Sequence, residues 1–155
     1  VTLHTLFSPG DPFTPLEILR EEGLPASRVI VGHVHAGIAR DPGYLRKLAE
    51  TGVYIGFDLL GFRESSARVA ELDDEDIGEA IVKLVEWGYG DRILLSHDVY
   101  SKVQQIRHGG YGFTFVPRHF VAHLRARGLT KAQVDRIMIG NPRRILTFDR
   151  ALEAP

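Results

Sequence analysis

No cysteine occurs among the 155 residues. A disulfide framework and a thiolate metal site are both excluded, so a transition metal would have to be held by imidazole and carboxylate groups. Such ligands suit zinc, manganese, iron or cobalt. Charge of one sign is missing too: 19 basic and 20 acidic residues are spread along the chain and leave a formal net charge of −1. That leaves no field to draw in nucleic acid or an anionic membrane surface, and neither is an expected partner. No apolar run approaches the roughly 18 residues of a membrane-spanning helix, and no basic start precedes an apolar signal core. The expectation is a soluble, cytoplasmic protein.

What is present is ordinary for a globular domain: 44% hydrophobic and 25% charged residues. The chain is long enough for one domain with a real core, and residues 1–155 are read as that domain with no second one. The opening Val1-Thr2-Leu3-His4-Thr5 already has the composition of a β-strand. A strand needs neighbours, so the expectation is a trimmed sequence or a piece of a longer chain.

Short apolar, β-branched runs at Val1 to Thr5, Arg28 to Gly32, Val53 to Asp58 and Arg92 to Ser96 predict four strands. Their apolar character is nearly continuous, which fits strands buried on both faces, as in a parallel sheet covered by helices. Helical patterns lie between them. Thr14-Pro15-Leu16-Glu17 has capping-box spacing and predicts a helix from about Pro15 to Glu22, stopping at Gly23. Asp41-Pro42 opens a second, with Tyr44, Leu45, Leu48 and Ala49 on one face and Gly52 as its stop. A third follows the acidic cluster Asp73 to Asp76, carries Ile77, Ile81, Leu84 and Val85, and ends at Gly88. After the last strand come a glycine-rich stretch, Ser101 to Gly112, a helix through Phe115 to Arg127, and a capping box from Thr130 to Gln133.

Alternating strands and helices signal βαβ units and a parallel sheet. A flavodoxin-like open sheet satisfies the pattern, and so does half of a (β/α)₈ barrel. The open sheet is the weaker reading, because no phosphate-cradling glycine motif follows the first strand. In α/β folds reactive groups sit at the carboxyl ends of strands. Those ends carry His4, His33 in Gly32-His33-Val34-His35, Asp58, and Asp98 in Ser96-His97-Asp98. Two imidazoles and a carboxylate converging in a barrel, with a position left for water, would make a catalytic metal site. A lone strand-end histidine is more often a hydrogen-bonded scaffold residue, and Asp58 reads equally as a loop cap or a substrate contact. His97 should point to the opposite side of its strand from Asp98, toward packing. His119 and His123 imitate a metal pair but fit the outer surface, and Asn141-Pro142-Arg143-Arg144 reads as a closing turn that pins the last helix.

Several stretches in order resemble the phosphotriesterase family of the amidohydrolase superfamily. They are His4-Thr5, the run Glu22 to His33, Phe57-Asp58, the block Gly88 to Asp98, Gly109-Gly110-Tyr111-Gly112, and Asn141-Pro142-Arg143-Arg144. The resemblance implies a (β/α)₈ TIM barrel of which this chain covers about strands 5 to 8, a half-barrel. It also implies two divalent metal ions, zinc or another transition metal, in a complete site that hydrolyses an ester, lactone or phosphoester. His4 and His33 match metal ligands of strands 5 and 6. Asp98 matches the strand-8 aspartate that binds metal and shuttles the proton. The family's HxH motif of strand 1 and bridging carboxylated lysine of strand 4 would lie upstream of Val1, so the expected partner, besides a small-molecule substrate, is an N-terminal half-barrel or a second copy of the chain.

Departures from the family pattern narrow the chemistry. His35 stands where members often have aspartate, and reads as an extra ligand, a substrate contact or a loop residue. Leu59 follows Asp58 where organophosphate-cleaving members carry a proton-relaying histidine, which argues against efficient organophosphate hydrolysis and leaves lactones, esters and amides open. Arg107, with Lys102 and His108, lies in the longest candidate loop, where basic groups would steer an anionic substrate or simply be solvated. His35, Asp58 and Arg107 are the candidate substrate contacts. The competing expectation is a non-catalytic half-barrel that assembles with a partner and keeps idle site residues.

Overall fold

The computed structural model describes residues 1–5, 12–41, 43–61 and 72–147. Its centre is a four-stranded sheet in the order β1-β2-β3-β4, all pairs parallel. The strands are β1 (Thr2–His4), β2 (Ile30–Gly32), β3 (Tyr54–Phe57) and β4 (Ile93–Leu95). Each lies inside one of the four apolar runs. In an open doubly wound sheet the chain reverses direction at a switch point and places its first strand in the interior. Here every strand lies beside its predecessor, as successive strands of a (β/α) barrel do.

Helices connect the strands. α1 (Phe13–Glu21) follows β1, and α2 (His35–Arg40) and α3 (Tyr44–Glu50) follow β2. α4 (Asp74–Glu86) follows β3. After β4 come α5 (Val121–Ala126), entered through the π-helical turn Val116–Phe120, and α6 (Lys131–Asp135), which continues through a second such turn, Arg136–Gly140, into α7 (Asn141–Leu146). Among the described residues no helix is long and apolar enough to cross a membrane.

Two sequence expectations are corrected. α1 begins at Phe13 with Pro12 as N-cap and no side-chain cap bond, so the Thr14/Glu17 spacing falls inside the first turn. Asn141 to Leu146 is a helix rather than a closing turn, and Pro142 stands directly after the π-helical turn Arg136–Gly140 that leads into it. α2 had no signal of its own, because a six-residue helix offers too little periodicity to read. The capping boxes of Asp73 with Asp76 and of Thr130 with Gln133 are formed. α3 buries Tyr44, Leu45, Leu48 and Ala49, the face that its spacing indicates.

The core lies between sheet and helices. Val31, Ile55, Phe57 and Ile93 of the strands pack with Leu48, Ile77, Ile81, Leu84, Phe120 and Leu124 of the helices. Each such burial contributes about 1.5–3 kcal/mol, which anchors the strands and so fixes where their carboxyl ends point. At the opposite end of β4, fully buried Asn141 donates its amide Nδ2 to the carbonyls of Gly90 (2.9 Å) and Ile93 (2.8 Å). The last helix is thereby pinned to the strand that leads to Asp98.

Candidate active site

His4 ends β1 opposite Gly32 of β2, and His33 follows Gly32 directly. The two imidazoles meet edge to face, ring centroids 4.1 Å apart and planes at 74°. The Thr5 hydroxyl donates to the Gly32 carbonyl at 2.6 Å and ties the two strand ends together. His4 is exposed and His33 buried, so the pair forms a wall with one ring facing outward.

The backbone of His33 is left-handed, φ 54°, and so is that of Asp98, φ 48°. These are the only non-glycine residues with positive φ among those described. Such a conformation costs about 1–3 kcal/mol and persists where the surroundings hold it. What holds His33 is Asp58, at the end of β3. The His33 N–H donates to both carboxylate oxygens, at 2.9 and 3.1 Å. His33 Nδ1 also faces the carboxylate, 3.1 Å from Asp58 Oδ1. Gly32 makes room for this: a Cβ there would come within 2.6 Å of Asp58 Oδ2. Burial is the largest influence on the Asp58 carboxyl and pushes it up; His33 pulls it down, and the Asp98 carboxylate raises it further. Asp58 thus serves as the support of His33, a role that the sequence expectation of a loop cap or substrate contact did not contain.

His97 and Asp98 both lie beyond the end of β4, which closes at Leu95, so the strand alternation expected to separate them does not extend to this pair. Half-buried His97 accepts the Val116 N–H on Nε2 at 2.9 Å, packing toward the helical layer, and burial holds it below the usual histidine range. Asp98 is held through its backbone, whose carbonyl accepts from Gln104 Nε2 at 3.0 Å. Gln104 was missed in the sequence, although Ser101-Lys102-Val103-Gln104 has the same capping-box spacing as Thr130 to Gln133.

Of the remaining candidates, His35 lies just behind this wall, while Arg107, His119 and His123 lie on other elements. His35 begins α2, is 4% exposed, and turns its ring edge toward Phe57 with centroids 6.4 Å apart. Its Nδ1 is buried without a hydrogen-bond partner, and burial, then the nearby His33, lowers its pKa to about 4. Arg107 is exposed in the loop after β4 and donates from Nε to Nε2 of neighbouring His108 at 3.0 Å. His123 faces Arg127 (3.0 Å) and Glu75 (3.4 Å) between α5 and α4, and His119 stacks near Phe115. His123 lies between the two helices, and His119 is exposed on the outer surface.

Paired imidazoles from adjacent strands and a nearby carboxylate are the donor types that a divalent transition metal takes. They fit part of such a set. Among the described residues no three histidines, aspartates or glutamates converge closely enough to hold an ion by themselves.

The model of the phosphotriesterase family matches residues 1–146. The chain belongs to the phosphotriesterase family. Among curated proteins of this kind, the N-acetyltaurine hydrolase of Mus musculus is 34% identical over 152 residues, covering 96% of this chain and 43% of that protein. Among solved structures, a resiniferatoxin-binding protein from Rhodobacter sphaeroides superposes with a TM-score of 0.83 at 35% identity, covering 94% of this chain and 41% of that one. The phosphotriesterase homology protein from Escherichia coli, solved with phosphate in its active site, gives 0.79 at 26% identity, covering 94% and 47%. The chain therefore spans less than half the length of these relatives, and its four parallel strands are a partial phosphotriesterase-like TIM barrel.

Proposed function

We propose that this chain supplies one wall of a metal-dependent hydrolase site, with His4, His33 and Asp98 as ligands of zinc or a similar divalent ion. The observation that carries the reading is the edge-to-face pair His4–His33, one member of which Asp58 holds in a strained backbone conformation. Strain of this kind persists where the surroundings over-determine it, and it clusters at active sites. The complete site, with two ions, takes its other ligands from a complementary half-barrel, present in a longer chain, in a partner or in a second copy.

In that site a bound divalent ion would supply Lewis acidity that lowers the pKa of water toward neutrality. The residues of this chain then have distinct tasks. His4 and His33 bind, and Asp58 orients His33 by fixing its backbone and facing Nδ1. Asp98 accepts the proton of the attacking water and returns it to the leaving group. The substrate we favour is a small acyl amide, by likeness to the relatives named N-acetyltaurine hydrolase; esters and lactones require the same attack on a carbonyl carbon. Leu59, unable to relay a proton, disfavours organophosphates. His35 and Arg107 remain candidate substrate contacts in the assembled barrel, Arg107 for an anionic group.

The test uses the assembled barrel loaded with zinc or manganese and presented with N-acetyltaurine, a simple lactone and an organophosphate triester. Amide or lactone turnover that is lost on chelation and absent in Asp98→Ala supports the reading. An assembled protein that binds no stoichiometric metal and turns over nothing after metal addition contradicts it and identifies an idle half-barrel.

A further inference from the structure

The segment after β4 leads from Asp98 into two short 3₁₀ turns, Lys102–Gln104 and Ile106–His108. Most of its side chains are exposed, but Gln104 is buried, 7% accessible, and both ends of its amide are hydrogen-bonded. Oε1 accepts the backbone N–H groups of Tyr100 (2.9 Å) and Ser101 (2.8 Å) and the Ser101 hydroxyl (3.0 Å). Nε2 donates in the opposite direction, to the carbonyl of Asp98 at 3.0 Å. With donors on one side and an acceptor on the other, the network itself fixes which end of the amide is nitrogen.

The acceptor half of this arrangement is a capping box between Ser101 and Gln104, and glutamate would serve it as well as glutamine. The donor half is different. It reaches back six residues to a backbone that is left-handed at Asp98, where an aspartate would otherwise relax toward negative φ. The chain also leaves no room for Gln104 to move away: a Cβ on Gly110 would lie 2.2 Å from the Gln104 carbonyl carbon and oxygen, so only glycine allows this close packing. On the other flank, His97 is fixed by the Val116 N–H. Asp98 is thus clamped from both neighbours while its own carboxylate stays available.

We propose that Gln104 is a positioning residue for Asp98: its Nε2–H holds the Asp98 carbonyl so that the carboxylate is aimed at the metal and the attacking water. This rests on the hydrolase reading of Asp98. The donor arm makes glutamine the required residue, and Gln104→Glu removes that arm while retaining the cap.

The experiment compares wild type, Gln104→Glu, Gln104→Ala and Asp98→Ala in the assembled barrel. It reads kcat and KM, the zinc dissociation constant by chelator competition, and amide hydrogen exchange at Tyr100 and Ser101. Gln104→Glu is expected to keep slow exchange at both amides and an unchanged KM, while kcat and zinc affinity fall by about 10- to 100-fold, the usual cost of losing a group that orients a ligand. Gln104→Ala is expected to lose the cap as well and to free both amides. Wild-type kcat and zinc affinity in Gln104→Glu, or losses accompanied by fast exchange at Tyr100 and Ser101, would overturn the positioning role while leaving the role of Asp98 intact. Retention of activity and zinc affinity in Asp98→Ala would instead overturn the hydrolase reading itself.

Discussion

Asp58 and His33 are joined across neighbouring strands: the His33 N–H donates to both carboxylate oxygens at 2.9 and 3.1 Å, and the imidazole Nδ1 stands 3.1 Å from Oδ1. One carboxylate therefore fixes the backbone of a candidate ligand and faces its ring. In Asp58→Ala the buried N–H would lose its acceptor, at about 1–3 kcal/mol, and the ring its orienter. The expected outcome is a lower unfolding midpoint together with roughly 10- to 100-fold weaker zinc binding. Asp58→Asn retains an acceptor for the N–H and should recover much of the stability. Urea unfolding and zinc competition on the three proteins check this.

Gly32 permits that contact. Because a Cβ would meet Asp58 Oδ2 at 2.6 Å, Gly32→Ala must push the carboxylate off the His33 N–H. Its effect should resemble Asp58→Ala, and the double variant should show little further loss, since both remove one interaction. Additive losses in a double-mutant cycle would place the role of Gly32 elsewhere.

Much of this arrangement was legible in the sequence. Four apolar β-branched runs marked the strands, and the inward packing of His97 was expected from its place beside β4. The glycines and motifs in family order led to the barrel. The partnership of Asp58 with His33 was not legible, because side chains on different strands meet through a register that no local spacing encodes. Gln104 left a readable cap signal, but its second bond reaches backward to Asp98, outside the helix that a cap announces. α2 was too short to show a period, and the first-turn signal at Thr14 was displaced because Pro12 already starts that helix.

Asn141 carries a structural prediction independent of the chemistry. Its Nδ2 serves two buried carbonyls at the start of β4. Asn141→Asp removes the donor and buries a charge beside two acceptors, which should cost more than about 3 kcal/mol. Asn141→Ala should cost less. Thermal denaturation of both would show the aspartate variant as the less stable, and the reverse order would contradict the assignment.

His35 gives the metal-free protein a pH dependence. Its folded pKa is about 4, below the unfolded value of 6.5, so the imidazole stays neutral in the native state where the unfolded chain takes up a proton. Stability is complete above 6.5, falls as the pH drops toward 4, and then levels, with a total of about 3 kcal/mol from this residue. His35→Leu should flatten that stretch of the curve. A mutant curve parallel to wild type between pH 6.5 and 4 would show that His35 is not the source.

In the assembled barrel the ends of β1, β2 and β4 are expected to contribute one wall of the metal site. Anomalous scattering at the zinc edge from crystals of the assembled barrel measures this directly. The expected result is a peak bonded to imidazole nitrogens of His4 and His33, with the Asp98 carboxylate completing that wall of the site. A zinc-loaded crystal with no peak there, or with the ion bound away from these three residues, would contradict it.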